Sequence, residues 1–162
     1  MLGAESTPSA STVSSSTQQL GASSAEGLSG QRRRIAAIDI GTNSTHLLVA
    51  SVDTTLRTFS IVQAEKSTTR LGERDPESGE LTAEAMQRGV ETLRRFRDLA
   101  ASHAVEQVVT AATSAVREAP NGRDFLQRIQ DVLGLEVDLV SGPEEARLIY
   151  LGVLSGMSFG DR

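Results

Sequence analysis

Two short segments carry the residues best placed to do chemistry. The first, Asp39-Ile40-Gly41-Thr42-Asn43-Ser44, directly follows the apolar run Ile35-Ala36-Ala37-Ile38. Gly41 permits a tight turn whose backbone N–H groups can converge on an anion. Thr42, Asn43 and Ser44 add short hydrogen-bonding side chains with little bulk. Asp39 brings a carboxylate to the same place, where it can hold Mg2+ directly or through water. The same composition also suits a plain polar hairpin between two strands.

The second segment is Ser141-Gly142-Pro143-Glu144-Glu145-Ala146-Arg147. A strand end, a Gly turn and a Pro at a first helical position place two glutamates in the opening turn of a helix. Carboxylates there stabilise a helix by about 0.3–1 kcal/mol with no catalytic role. Neighbours on a helix lie about 100° apart, so only one of the pair can face a given cleft. Spacing does not choose between them. A glutamate facing a bound phosphate could act as general base, taking a proton from an attacking water.

Three further side chains are candidates. Arg117, in Thr113-Ser114-Ala115-Val116-Arg117, could clamp phosphate oxygens through its planar fork, although most arginines are simply solvated. Arg70, in Thr69-Arg70-Leu71-Gly72, is a weaker phosphate contact. Of the two histidines, His103 suits a helix end, and His46, close to the anion turn, is read as a packing or hydrogen-bonding residue.

The elements that must position these groups follow from periodicity. Strands are expected over 35–40, 47–52 and 58–69, then a charged Gly/Pro loop over 72–79. A helix is expected over 82–103, capped by Thr82 and apolar along Met86, Val90, Leu93, Phe96 and Ala100. A strand over 107–112 and a short helix or turn over 113–118 follow. Asn121 caps a helix over 124–133, which Gly134 ends. A strand over 137–140 leads into a last helix, 143–154. Strands first, then strand–helix alternation, imply antiparallel pairing early and parallel crossovers later.

Composition narrows the class. The 162 residues carry 16 basic and 21 acidic side chains, a net charge of −5, and no cysteine. This balance argues against nucleic acid as a partner, and there is neither a disulfide framework nor a thiolate metal site. No apolar run is long enough to span a bilayer, so a cytoplasmic, membrane-independent protein is expected. Residues 1–31 are dominated by Ser, Thr, Ala and Gly, without an aromatic residue, and read as a disordered tail. Residues 32–162 then form the folded domain. Arg32-Arg33-Arg34 at its start reads as a solvated flank.

Together the pieces resemble a known family. The 38–44 segment is similar to the first phosphate-binding segment of actin-like and sugar-kinase-like ATPases. Ser141-Gly142-Pro143-Glu144-Glu145-Ala146-Arg147-Leu148-Ile149-Tyr150-Leu151-Gly152-Val153 resembles the S-G-x-E-E-A-x-L-x-x-x-G-V segment of the exopolyphosphatase / guanosine pentaphosphate phosphohydrolase (Ppx/GppA) family. Arg70-Leu71-Gly72-Glu73, the helix over 81–96 and residues 113–117 fit in order and spacing. The resemblance covers residues 35–156.

The resemblance implies an α/β, ribonuclease-H-like domain of the actin-like ATPase superfamily, with a mixed five-stranded sheet and helices on both faces. It implies removal of the terminal phosphate from polyphosphate, or the 5′-terminal phosphate of pppGpp, with Mg2+ and water. Glu145 would be the catalytic base, Asp39 would lie at the metal, Gly41, Thr42, Asn43 and Ser44 would line the phosphate, and Arg117 would hold a phosphate oxygen. Full-length relatives are expected to be homodimers. The family also has a second glycine-rich loop of D-I-G-G-G-S-T-E type and a second lobe; neither occurs within these 162 residues, so the expectation is an N-terminal domain inactive by itself. The competing expectations are a non-catalytic polyphosphate-binding or protein-interaction remnant and, more weakly, an ATP-dependent kinase of the same superfamily.

Overall fold

The computed structural model describes residues 32–156. The tail expected over 1–31 lies outside them. Three antiparallel strands open the domain: β1 (Arg32–Ile40), β2 (Ser44–Asp53) and β3 (Thr58–Thr68). Then follow α1 (Ala83–Ser102), β4 (Gln107–Ala112), α2 (Ser114–Arg117), α3 (Gly122–Leu133), β5 (Asp138–Leu139) and α4 (Gly142–Gly156). β4 joins β1 in parallel and β5 joins β4 in parallel, giving the mixed five-stranded order β3-β2-β1-β4-β5. This is the expected α/β sheet.

Strand alternation sorts the two faces of the sheet. Ala36, Ile38 and Ile40 of β1, Leu47 and Val49 of β2 and Ala112 of β4 are buried on one face. α1 covers them with Ala85, Val90, Leu93, Phe96 and Ala100, and α3 adds Phe125, Ile129 and Leu133. Phe96 and Phe125 are fully buried, each worth about 1.5–3 kcal/mol of transfer free energy. Asp39, opposite His46 on β2 and Ala111 on β4, belongs to the other face. There Leu148 and Ile149 of α4 share an open hollow with Asp39 and Ala111. Helices therefore flank both faces, but the second is covered far less, and Leu148, Ile149 and Tyr150 are exposed.

Local chemistry explains most boundaries. The Thr82 hydroxyl accepts the Ala85 N–H at 3.1 Å and starts α1. Gly134, at φ 65°, ends α3 and returns its N–H to the Gln130 carbonyl. The Asp53 carboxylate accepts the N–H groups of Thr55 and Leu56 and shapes the β2–β3 turn.

Two expectations need correction. Asn121 precedes α3 but makes no capping bond; its side chain instead accepts the Leu81 N–H at 2.8 Å and donates to the Leu81 carbonyl at 3.0 Å. It pins the start of the α1 region rather than its own helix. The last strand is only Asp138–Leu139, flanked by Val137, which packs against the core, and by Val140, whose N–H reaches the Ala112 carbonyl. On β3 a register shift opposite Val49 and Ala50 breaks the simple alternation, and Phe59, Ile61 and Val62 are all exposed.

Candidate functional site

The β1–β2 hairpin forms one edge of the site. Gly41 donates its N–H to the Ser44 carbonyl at 3.1 Å, and a Cβ at Gly41 would meet that oxygen at 2.8 Å. The turn therefore requires glycine. The carbonyls of Thr42 and Asn43 accept bonds from the clasp that follows β3. Thr69 and Arg70 donate to Asn43, and Gly72 donates to Thr42. Among the described residues, no partner takes the N–H of Thr42 or Asn43. Two free N–H groups on a fixed turn are what an anion loop offers.

The clasp is itself fastened. The buried hydroxyls of Thr45 and Thr69 lie 3.1 Å apart, and Arg88 donates to the Thr69 carbonyl and to Glu73. Arg74 donates to the Ala115 carbonyl, tying the clasp to α2. The Thr42 and Ser114 hydroxyls are 3.1 Å apart, so the hairpin tip also touches the start of α2. Arg70 adopts φ 49°, a left-handed conformation that costs a non-glycine residue on the order of 1 kcal/mol.

Asp39 and Glu145 line one open hollow of about 310 Å3, together with Ala111, Thr113, Val140, Leu148 and Ile149. Glu144 is turned away, its two carboxylate oxygens each 2.7 Å from the Arg147 guanidinium. That pairing holds the Glu144 carboxyl below the usual carboxylate range, chiefly through the hydrogen bond from Arg147. Asp39 remains reachable by solvent yet is flanked by the hollow. Desolvation pushes its pKa up, the charge of His46 opposes this, and the charge of Glu145 adds to it.

Arg117 stands on the far side of Glu145. One of its nitrogens donates to the Val140 carbonyl and lies 3.7 Å from the Glu145 carboxylate. The other lies 3.8 Å from Glu118. The structure thus brings together Asp39, Glu145, Arg117 and the 41–44 hairpin. His46, expected to pack or hydrogen-bond, is exposed and does neither among the described residues. It stands directly across β1–β2 from Asp39. The signal for this was available, since a turn centred on Thr42 and Asn43 sets Asp39 opposite His46.

Among the described residues no group of three or more carboxylate, imidazole or thiol side chains could cage a metal. Two carboxylates in one open hollow nevertheless fit Mg2+, which commonly binds one or two carboxylates and completes its shell with water and substrate phosphates. The mutual repulsion of Asp39 and Glu145 is what a divalent cation would relieve.

Fold and placement define the class as the ribonuclease-H-like domain of the actin-like ATPase superfamily. The model of the Ppx/GppA phosphatase family matches residues 48–162. An exopolyphosphatase from Cytophaga hutchinsonii is 36% identical over 80% of this chain and 41% of its own, with a TM-score of 0.72. The Aquifex aeolicus member of the Ppx/GppA family is 31% identical over 78% of this chain and 40% of its own, also at 0.72. This chain belongs to the Ppx/GppA phosphatase family. It spans about two-fifths of the length of these relatives.

Proposed function

We propose that the chain supplies one wall of a phosphohydrolase site that removes the terminal phosphate from polyphosphate or the 5′-terminal phosphate of pppGpp. The observation that carries this is the shared hollow of Glu145 and Asp39 beside the glycine hairpin. The free N–H groups of Thr42 and Asn43, with the hydroxyls of Thr42 and Ser44, receive the terminal phosphate oxygens. Glu145 takes a proton from a water whose oxygen attacks the terminal phosphorus. The phosphoanhydride bond breaks, and orthophosphate and the shortened chain leave. Arg117 orients Glu145 and offers its fork to a phosphate oxygen. Asp39 would hold Mg2+, which when bound would neutralise charge on the phosphates.

Asp39 and Glu145 line the hollow itself, with the hairpin and Arg117 beside it. Phosphoryl transfer depends on several electrostatic partners held together, so this chain alone is proposed to be inactive. No helix among the described residues is long and apolar enough to cross a membrane. A cytoplasmic enzyme, homodimeric in its full-length form, is consistent with that and is part of the proposal.

A second reading, a non-catalytic polyphosphate-binding module, is favoured by the openness of the hollow. Phosphate release from polyphosphate and pppGpp with Mg2+, by this chain and its Glu145→Gln variant, separates the two. Glu145-dependent release would show that one wall suffices and would overturn the inactivity. Tight binding of polyphosphate that Glu145→Gln leaves intact, with no release after a second lobe is supplied, would support the binding module.

A further inference from the structure

The hollow holds two carboxylates, whereas condensed phosphates are polyanions. A site of this sign needs cations nearby to tolerate the phosphates beyond the terminal one. The β-sheet register shows where they are. Asp39 is opposite His46 on β2, and His46 is opposite Lys66 on β3, so all three project from the same face near the hairpin end. Two interstrand spacings put the Lys66 backbone about 10 Å from that of Asp39. Lys66 is the only lysine in the chain. It is exposed, and its ammonium has no ion-pair partner among the described residues. Its neighbour Glu65 belongs to the opposite face and accepts from Gln63 at 2.7 Å.

A second cation completes the arrangement. Arg70 lines a separate hollow of about 400 Å3 with Thr42, Asn43, Thr68, Gly72 and Glu73. Thr68 pairs with Ser44 of the anion hairpin and shares the face of Lys66. Arg70 is held by the bond from its own N–H to the Asn43 carbonyl, so its backbone is fixed to the hairpin. Its ion pair with Glu73, at 3.5 Å, is exposed, and such pairs contribute little in water. Glu73 keeps Arg88 at 2.7 Å when Arg70 leaves it. The guanidinium is therefore available to an incoming anion.

We infer that Lys66 and Arg70, flanking the Ser44–Thr68 pair, form a second anion subsite that holds phosphates of a condensed-phosphate chain beyond the one at the hairpin. This rests on the phosphohydrolase reading only for the place of the terminal phosphate. The subsite favours inorganic polyphosphate over ligands that offer a single phosphate, because its two cations are met only by a chain long enough to extend past the hairpin.

Binding of orthophosphate, tripolyphosphate and long-chain polyphosphate to the 162-residue chain tests this by calorimetry. Affinity should rise with chain length in the parent and fall steeply with salt. The Lys66→Gln/Arg70→Gln double variant should flatten the rise, weakening long-chain binding by about ten-fold or more, as expected for charge-assisted contacts, with orthophosphate binding unchanged. Lys66→Arg should retain the rise. Both altered side chains are exposed, so an unchanged urea midpoint should accompany the loss. After reductive methylation with labelled formaldehyde, the single lysine resonance should shift with polyphosphate but not with orthophosphate. A double variant that keeps the full rise overturns the subsite and leaves the phosphohydrolase reading standing. A parent chain that binds no condensed phosphate also overturns the subsite, whereas the phosphohydrolase reading falls only on a test of phosphate release.

Discussion

The Arg117 guanidinium ties the Val140 carbonyl to the Glu145 carboxylate, 3.7 Å away. One side chain from α2 thereby fixes where β5 ends and how α4 begins, and so where Glu145 stands. Arg117→Ala should lower unfolding free energy by about 1.5–3 kcal/mol, the value of a partly buried bond from a charged donor, read from a urea midpoint at constant m-value. Arg147→Ala, which removes the exposed partner of Glu144, should leave the midpoint unchanged. Equal losses in both variants would contradict a structural role for Arg117.

Asp39 should make stability depend on pH in a defined direction. Its folded pKa lies above the ordinary value of 3.8, first because of desolvation. Folding therefore favours the protonated form. The stability from this group is full below 3.8 and is lost as pH rises through the folded value. Without a divalent cation, Asp39→Asn should melt above the parent at pH 7, and the gap should close on acidification past that window. A gap that stays constant at every pH would show that charge is not its cause.

The hairpin and the clasp should be sterically coupled. A Cβ at Gly72 would sit 2.6 Å from the Thr42 Cγ2 methyl. Gly72→Ala should cost about 1–3 kcal/mol as overpacking. Thr42→Ser removes that methyl and keeps the hydroxyl near Ser114, so Thr42→Ser/Gly72→Ala should recover most of the loss. Simple additivity in this double-mutant cycle would show that the two residues do not touch.

Among the described residues, the buried Thr110 hydroxyl has no hydrogen-bond partner. Thr110→Val keeps the shape and removes the orphan group, so it should be neutral or stabilising by about 1 kcal/mol. Clear destabilisation would mean that the hydroxyl is satisfied.

What could be read from the sequence was whatever depends on neighbours along the chain. α1 was legible because Thr82 caps it and Val90, Leu93, Phe96 and Ala100 recur on one face. Gly134 was legible for the same reason, as a residue suited to the left-handed end of α3. Asn121 was misread because its partner, Leu81, is far away in sequence and nothing local announces it. The short β5 depends on Val137 finding the core, which is a tertiary fact.

Within the site, the hairpin was legible from composition, whereas Glu144 and Glu145 could not be separated by helical periodicity alone. A usable signal was present in Arg147, three residues beyond Glu144 and well spaced to pair with it. The pairing of Asp39 with His46 and Lys66 needed the strand register, which the sequence implies only once the hairpin turn is located.

Glu145 is proposed as the base of a phosphohydrolase site to which this chain contributes one wall. This role is tested most directly by fusing residues 1–162 to the remaining part of the Cytophaga hutchinsonii exopolyphosphatase and measuring orthophosphate release from polyphosphate with Mg2+. The account predicts release by the fusion, none by this chain alone, and a loss of about 10²–10⁴-fold in Glu145→Gln, the usual contribution of a general base. A Glu145→Gln fusion that releases phosphate at the parent rate would contradict it.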